Sequence, residues 1–374
     1  MRTPEEKHKF NDDLLLKEED QKQAARRYPT VSHVLDYPEL RSLFSEYDQV
    51  ANRTKRTGRK TGLFAIGLVF FALALAAGEQ LLREEKNERM FLPWPKVLAL
   101  TSALLGIGGV VIGGIGVLHS EKKRRWLHSR LMTERIRQFH FQTFIFRLPD
   151  ILESLESPTS RQAFKDKRAV WLDQFNTAYV DKVDSQFTDI IQDEDGGDVW
   201  LHEKQSVELP ESDQLVPLFK AYRELRLEHQ IGYANYKLQN DPRLFSDAPR
   251  SQAAFLSTAG LTCIILLCAI HFFVLLGVLL PRTGWENLEH GLTVVAIWIA
   301  LAALAMRAIE QGLQPEREIE RYQQYRSTLR AIRDRFDAAT SQPDKIRFMK
   351  EMERLSFDEM RNFLITSDRT RFVM

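Results

Sequence analysis

The stretch that decides the fold is GLFAIGLVFFALALAAG, residues 62–78, which carries no charged side chain. A run of about 17 apolar residues is the shortest that crosses the hydrocarbon core of a bilayer as a helix. Three further runs of this kind lie at 97–118, 253–280 and 291–309, and Arg307 in the last run is close enough to its end to reach the membrane surface. These runs predict an all-α membrane protein with four transmembrane helices.

Outside the four runs the chain is dense in charged residues, which make up 28% of the sequence at a net charge of +1. This separation is expected when lipid solvates one part of a chain and water solvates the other. The N-terminus lacks the basic-then-apolar order of a signal peptide, so we expect the first span to direct insertion. Both cysteines, Cys263 and Cys268, lie inside the third run and offer neither a disulfide framework nor a zinc site.

Short loops join the spans in pairs, residues 79–96 in the first pair and 281–290 in the second, so each pair must form an antiparallel hairpin. Basic residues flank the first hairpin on the side away from its loop. The positive-inside rule therefore places both loops outside and both termini in the cytoplasm. The flanking residues are Arg53, Lys55, Arg56, Arg59 and Lys60 before the first span, and Lys122, Lys123, Arg124 and Arg125, the basic collar, after the second.

The two halves of the chain repeat one order of elements: amphipathic helix, span, short outer loop, span, charged helix and further helix. Both hairpins face the same way, so this is a parallel repeat and not the inverted repeat of many secondary transporters. We predict a charged N-terminal segment, a first two-span hairpin with cytoplasmic helices, a cytoplasmic helical insert, and a second two-span hairpin with C-terminal helices. Their bounds are 1–35, 36–158, 159–240 and 241–374.

Helical periodicity continues into the predicted cytoplasmic parts. After the second span, Trp126, Arg130 and Glu134 fall at i, i+4 and i+8, which stacks them on one face with one favourable ion pair. Beyond the fourth span, an a/d seam of about two heptads is too short for a free coiled coil, and we expect it to pack within the protein or across subunits. With Trp126, this seam is the predicted helix interface. The seam comprises Tyr322, Tyr325, Leu329, Ile332 and Phe336.

Other patterns complete the cytoplasmic part. The acidic stretch QDEDGGD, 192–198, lacks the ligand spacing of a calcium-binding EF-hand and predicts a solvated turn. The weakly alternating stretch 199–209 predicts one strand or an irregular connector. Three series predict core-facing helices. They are Phe139, Phe141, Phe144 and Phe146; Trp171, Phe175, Tyr179, Val183 and Phe187; and Leu215, Leu218, Tyr222 and Leu225.

Two features stand out inside the predicted membrane region. Four glycines, Gly106, Gly109, Gly113 and Gly116, form one bare face of the second span. Such a face usually serves close helix packing, and its alternative role is to line or hinge a pore. His271 is the one ionisable side chain well inside a span, where it could serve a pore or hydrogen-bond a neighbouring helix.

The stretches 121–144, 320–336 and 350–364 carry a resemblance to a known family. EKKRRWLHSRLMTERIRQFHFQTF after a two-span hairpin, followed in the second half by ERYQQYRSTLRAIRDRF and KEMERLSFDEMRNFL, resembles the SLATT family of bacterial two-transmembrane effectors, here in tandem. The resemblance implies a homo-oligomer in the bacterial inner membrane that forms a pore when a nucleotide-signalling or sensor protein is triggered by infection. Residues 159–210 have no place in the family's pattern and leave room for a sensing or docking role.

The sequence contains no catalytic motif of the nucleotide-binding, zinc-protease or serine-hydrolase kind. We therefore expect no enzyme, no cofactor, no metal site and no nucleic-acid partner, with the lipid bilayer as the main partner. Two functions stay open: a pore-forming effector of anti-phage defence, and a non-conducting membrane scaffold that recruits a soluble partner. The absence of polar side chains in the first span favours the scaffold or a narrow, dewetting-gated pore.

Overall fold

A computed structural model describes residues 9–84, 94–114, 121–192, 198–202, 211–241, 248–279 and 285–369. All regular elements in these ranges are helical and none is a strand, which confirms the all-α prediction. A 3-10 helix, Lys9–Leu14, opens the described chain. The helices of the first half are α1 (Glu18–Arg27), α2 (Ser32–Leu35), α3 (Pro38–Glu84), α4 (Trp94–Gly113), α5 (Glu121–Phe146), α6 (Leu148–Ser154), α7 (Pro158–Phe175) and α8 (Val183–Gln192).

The second half contains the longest apolar helices. Two of its helical stretches are interrupted by a change of backbone: a π-helical segment, Arg223–Glu228, separates α9 from α10, and Gln314, with a φ of 47°, separates α12 from α13. A 3-10 turn, Asp213–Leu215, precedes α9. The helices are α9 (Val216–Tyr222), α10 (His229–Lys237), α11 (Pro249–Leu279), α12 (Trp285–Leu313), α13 (Pro315–Ala338) and α14 (Gln342–Arg369).

Three of these helices, α3, α11 and α12, contain stretches long and apolar enough to cross a membrane. The apolar part of α4, Val97–Gly113, is shorter. The predicted second span reaches residue 118, and its positions 115–118 lie outside the described residues. Helix α3 is continuous from Pro38 to Glu84, so the predicted amphipathic lead-in runs into the first apolar stretch without a break.

The chain divides into two compact units. The first, here the core unit, contains the described residues of 9–53, 124–238 and 320–369; the second, the span unit, contains those of 54–123 and 239–319. The units are defined by spatial contacts. They cut across the sequence blocks 1–35, 36–158, 159–240 and 241–374, because α3 and α5 each begin in one unit and end in the other.

The core unit is built around α5, whose side chains are almost all buried from Trp126 to Phe146. The predicted aromatic row lies inside this core, with Phe139, Phe141 and Phe144 at most 1% exposed. A helix buried on every face is normally apolar all round. Helix α5 departs from that rule because it also buries eight polar or charged side chains: Ser129, Thr133, Arg135, Arg137, Gln138, His140, Gln142 and Thr143.

The charged N-terminal stretch contributes to this core. Its residues 9–35 form the 3-10 helix, α1 and α2, and they bury apolar side chains between the charged ones. Among these are Leu14, Leu15, Tyr28, Val31 and Leu35, each at most 3% exposed.

The predicted helix that carries the series from Trp171 to Phe187 is not a single α-helix. Helix α7 begins at Pro158, with the Ser160 amide donating to the Ser157 hydroxyl at 3.1 Å as an N-cap. The fourfold series from Trp171 to Phe187 does not follow one helix, because α7 passes into a π-helical segment, Asn176–Val180, and α8 starts anew at Val183. Within 199–209, the described residues 199–202 form an irregular connector and not a strand.

The span unit packs α3 against both α4 and α12, and α11 against α12. The Ser102 hydroxyl of α4 donates to the carbonyl of Ala72 in α3 at 2.8 Å. The indole N–H of Trp298 in α12 donates to the carbonyl of Ala74 in α3 at 2.9 Å. Two polar side chains thus fix the neighbours of α3 to carbonyls two residues apart in a helix that is otherwise apolar at this level.

Candidate functional site

A network of buried charges surrounds the middle of α5. The Arg137 guanidinium donates through Nη1 to both carboxylate oxygens of Glu134 at 2.9 Å and through Nη2 to Asn11 Oδ1 at 2.8 Å. Its Nε lies 2.8 Å from the buried Asp13 carboxylate, and Arg130 pairs with Glu134 at 2.7 Å. The predicted ion pair between Arg130 and Glu134 is thereby confirmed. Although burial alone would raise it, Arg137 and Arg130 lower the pKa of Glu134 to about 2.

A second buried pair joins the π-helical segment to α14. Arg226 donates through Nε and Nη2 to the two oxygens of Glu353, each at 2.9 Å, and both side chains are at most 1% exposed. The Tyr222 hydroxyl donates to the same carboxylate at 2.9 Å, and the Arg226 guanidinium lies 4.8 Å from the ring centroid of Phe141 in α5. Burial opposes the charge of Arg226, but Glu353 raises its pKa above the ordinary value.

Arg135 is held differently, because no carboxylate lies within ion-pair distance of it among the described residues. It donates to the carbonyls of Asp198 at 2.7 Å and Val199 at 3.4 Å, and to Gln138 Oε1 at 3.1 Å. The rings of Tyr179 and Phe357 flank its guanidinium, each centroid 5.2 Å away. Burial lowers the pKa of Arg135 to about 10. Its hydrogen bonds go only to neutral groups, although the charge of Asp198 favours the guanidinium ion, and burial of such a charge is costly.

The connector 198–202 is fastened along α5. Gln142 donates to the Val199 carbonyl at 2.9 Å and accepts from the Leu201 amide at 2.8 Å. His202 lies 3.0 Å from the carbonyl of Phe139 and stacks on that ring with centroids 4.5 Å apart. The weak sequence pattern at 199–209 gave no sign of these contacts, because they use backbone carbonyls that any residue supplies.

Both π-helical segments supply residues to this network: Asn176–Val180 supplies Tyr179, and Arg223–Glu228 supplies Arg226. Such segments are rare and occur often at functional sites. Each inserts one residue relative to an α-helix. The helical face predicted from Leu215, Leu218 and Tyr222 therefore continues with buried Arg226 and Leu227, and Leu225 is only partly buried.

The predicted helix interface packs inside the core unit. All five seam residues are at most 7% exposed, which supports packing within the protein over packing across subunits in this conformation. Tyr322 contacts Tyr233 edge to face at 5.8 Å, Phe336 lies 6.4 Å from Tyr222, and the Tyr325 hydroxyl reaches Gln230 at 3.4 Å. Trp126 packs on Phe363 at 5.6 Å. The remaining members of the buried seam are Leu329 and Ile332.

The basic collar begins α5. Lys122, Arg124 and Arg125 are exposed, and Lys123 is half-buried. Arg124 pairs with Asp184 of α8 at 3.1 Å, and His128 Nδ1 lies 3.0 Å from the same carboxylate.

The glycine face of α4 lies against α3. A Cβ added at Gly106 would be 3.6 Å from Ala72 Cβ, and one at Gly113 would be 3.8 Å from Ala65 Cβ, both ordinary contact distances. At Gly109 the added atom would be 2.7 Å from Val69 Cγ2 and 3.1 Å from Val69 N, so no side chain fits without a shift. Gly116 lies outside the described residues.

His271 lies on the exposed surface of α11 in the span unit, and its Nδ1 is 2.8 Å from the Leu267 carbonyl one turn earlier. The glycine face and His271 are not brought together by any contact between described residues. In the described part of the chain, no group of three or more His, Cys, Asp or Glu side chains could hold a metal ion. No protein-family model, curated protein or solved structure matches this chain.

Proposed function

We propose that the protein is a membrane effector of bacterial anti-phage defence, in which a change in the core unit alters the span unit so that the inner membrane becomes permeable. The observation that carries the proposal is the continuity of α3, which runs from Pro38 in the core unit to Glu84 in the span unit. A helix without a break transmits displacement along its axis, since its backbone hydrogen bonds leave no soft dihedral between its ends.

The buried charges of the core unit favour a small number of discrete helix arrangements, between which the core unit could switch. A buried ion pair stabilises little compared with apolar packing, but it permits only those helix positions in which both charges keep their partners. Arg226 with Glu353 therefore fixes the position of the π-helical segment Arg223–Glu228 against α14, and Arg137 with Asp13 fixes the N-terminal 3-10 helix against α5. An upstream nucleotide-signalling or sensor protein would act by favouring one arrangement over another.

The membrane topology is part of the proposal. Four spans form two hairpins in the same orientation, with both termini cytoplasmic, and copies of the chain associate in the bilayer. Cys263 and Cys268 are the two cysteines of the sequence, so serine replacements give a background for single-cysteine mapping. Asn87→Cys and Arg282→Cys should react with an impermeant maleimide in spheroplasts, and Ser341→Cys only after lysis. Labelling of all three from one side would contradict the topology.

Two measurements test the effector proposal. Cells that produce the protein should restrict phage and lose membrane potential during infection, and the purified protein should conduct in planar bilayers. A double variant, Arg226→Met with Glu353→Leu, keeps apolar volume in the core but removes the buried pair. We expect it to fold and to depolarise cells without infection. Unchanged potential and unchanged phage growth in the wild type would exclude the proposal.

The second candidate is a non-conducting scaffold, which the apolar first span favours. Its residues Leu63, Phe64 and Phe71 are exposed and offer no polar lining to an ion path. A scaffold would bind a soluble partner through the core unit and give no current. Planar-bilayer conductance therefore separates the two functions.

A further inference from the structure

One exposed face of α11 has the spacing of a helix-pairing seam. Its members follow one another at intervals of three and four residues over three heptads, and every one of them is exposed. This is the a/d pattern by which two helices pair along their length. The face consists of Ala254, Ser257, Leu261, Ile264, Cys268, His271 and Leu275, and we call it the α11 seam.

Lipid chains are a poor partner for this seam because of His271. A carbonyl oxygen only accepts hydrogen bonds, so the contact between Nδ1 and the Leu267 carbonyl places the imidazole proton on Nδ1. In the neutral ring, Nε2 is then an acceptor. No described residue donates to Nε2, and hydrocarbon offers no donor. The side chain that covers the seam must therefore bring one.

A second copy of the chain would supply that donor from the seam itself. Cys268 lies one turn before His271 on the same face, and it is exposed. In a parallel pair, an a residue of one helix lies beside the neighbouring d residues of the other. Two-fold symmetry then repeats each contact, so that each thiol faces the other copy's imidazole.

The core unit has no competing apolar surface among its described residues. Val170 and Val216 are its exposed large hydrophobic side chains there, and they stand apart in sequence on α7 and α9. Its own a/d seam, from Tyr322 to Phe336, is already buried. The described residues of the core unit therefore offer no exposed a/d pattern that competes with the α11 seam.

We propose that the α11 seam is the contact surface for a second copy of this chain in the membrane, with His271 Nε2 accepting a hydrogen bond from the other copy's Cys268 thiol. The inference rests on the membrane placement in the proposed function and identifies the self-association surface within it. It does not depend on conduction. A dimer without current would leave this inference standing and contradict the effector.

Native cysteines provide the first test. Copper phenanthroline with oxygen oxidises two close thiols to a disulfide in isolated membranes. Wild type and Cys263→Ser should give a covalent dimer, and Cys268→Ser should give none. A dimer that depends on Cys263 instead would place the contact on another face and overturn the proposal.

Single cysteines introduced at other positions, in a Cys263→Ser, Cys268→Ser background, test whether the rest of the seam lies at the contact. Leu261→Cys and Ile264→Cys lie on the seam. Ile265→Cys and Phe272→Cys are equally apolar and exposed but lie off it. Seam positions should cross-link several-fold faster than the matched off-seam positions. Equal rates at all four, or no dimer at any, would overturn the proposal.

The role of His271 is tested by measuring dimerisation in liposomes through energy transfer between labelled copies. His271→Leu removes two such bonds from the symmetric dimer and should weaken dimerisation about 10- to 300-fold, because one interhelical hydrogen bond in a membrane is worth about 3- to 18-fold. Phe272→Leu is the matched control and should leave it unchanged. His271→Asn, which retains an acceptor oxygen, should recover part of the loss. Equal dimerisation by His271→Leu and wild type would remove His271 from the interface.

Discussion

The core unit and the span unit are both helical, yet they differ in the polar side chains that they bury and in the apolar side chains that they expose. The core unit encloses guanidinium and carboxylate groups, as with Arg226 and Glu353, and exposes few large apolar residues. The span unit exposes Leu, Ile and Phe side chains and joins its helices through small residues and two hydrogen bonds, from Ser102 and Trp298. On the proposed placement, with the span unit in lipid and the core unit in water, the surroundings of each unit decide which contacts between helices are specific.

In water, burial of apolar surface already drives helices together, and buried charges then restrict how they pack. In lipid, apolar surface gives no such drive, so close approach and hydrogen bonds must provide it. Gly109 and Arg226 therefore both make helix packing specific, Gly109 through close approach and Arg226 through a buried ion pair. The predictions below probe each side of this contrast.

The largest effect is expected from breaking the buried pair. Glu353→Gln leaves Arg226 charged and without its carboxylate in the core, which should lower the free energy of unfolding by about 3–5 kcal/mol. Denaturant or thermal unfolding in detergent measures it. The double variant Arg226→Met with Glu353→Leu should be much less affected. If the double variant were as unstable as the single one, the cost would reflect packing and not charge.

The corresponding test in the span unit is Gly109→Ala. The added methyl would meet Val69 Cγ2 at 2.7 Å, so α4 must move from α3, at a cost of about 1–3 kcal/mol for overpacking. Gly106→Ala is the control, because its methyl would sit 3.6 Å from Ala72. Val69→Ala should rescue Gly109→Ala. Equal thermal stability of the two alanine variants would show that α3 and α4 are not in close contact.

Acid should weaken the core unit through its buried histidines. Burial lowers the pKa of His202 to about 4 from 6.5, so the folded state favours the neutral ring. The stability from this site is complete above pH 6.5 and is lost as pH falls toward 4, by about 1–2 kcal/mol between pH 7 and 5. His202→Gln should remove this share of the loss, whereas burial lowers the pKa of His140 to about 3 and of His33 to about 4, so these two side chains should still weaken the fold in acid. A profile identical to that of the wild type would exclude His202 as the cause.

Sequence patterns predicted the elements that follow a regular period. The helices, the seam from Tyr322 to Phe336 and the aromatic row of α5 were all visible in spacings of three and four residues. Of the buried network, only the pair of Arg130 with Glu134 was predicted, since an arginine at an interior position carries the same letter as one in solvent. Arg135 in particular is held by backbone carbonyls of Asp198 and Val199, which no side-chain pattern encodes.

The π-helical segments were missed for a related reason. Extrapolation at 3.6 residues per turn places Leu225 on the face of Leu218 and Tyr222, but one inserted residue brings Arg226 there. The glycine face of α4 was visible in sequence. Its contact with α3 at Val69 required the structure, because a glycine pattern marks a close approach without naming the neighbour.

The smallest effect is expected at Arg223, and its comparison with Arg226 in the same π-helical segment separates the effect of burial from that of charge. Arg223 makes a bidentate pair with Asp337 at 2.6 Å, in the same segment as Arg226, but both partners are about a third exposed. Water already solvates these charges, so Arg223→Gln should cost only about 0.2–1 kcal/mol and less at high salt. Arg226→Gln should cost several times more and be nearly insensitive to salt, because burial excludes counterions from its partner Glu353. Unfolding free energies at low and high salt compare the two directly. Equal losses would mean that the core unit admits water to Glu353, and the contrast with the span unit would then rest on packing alone.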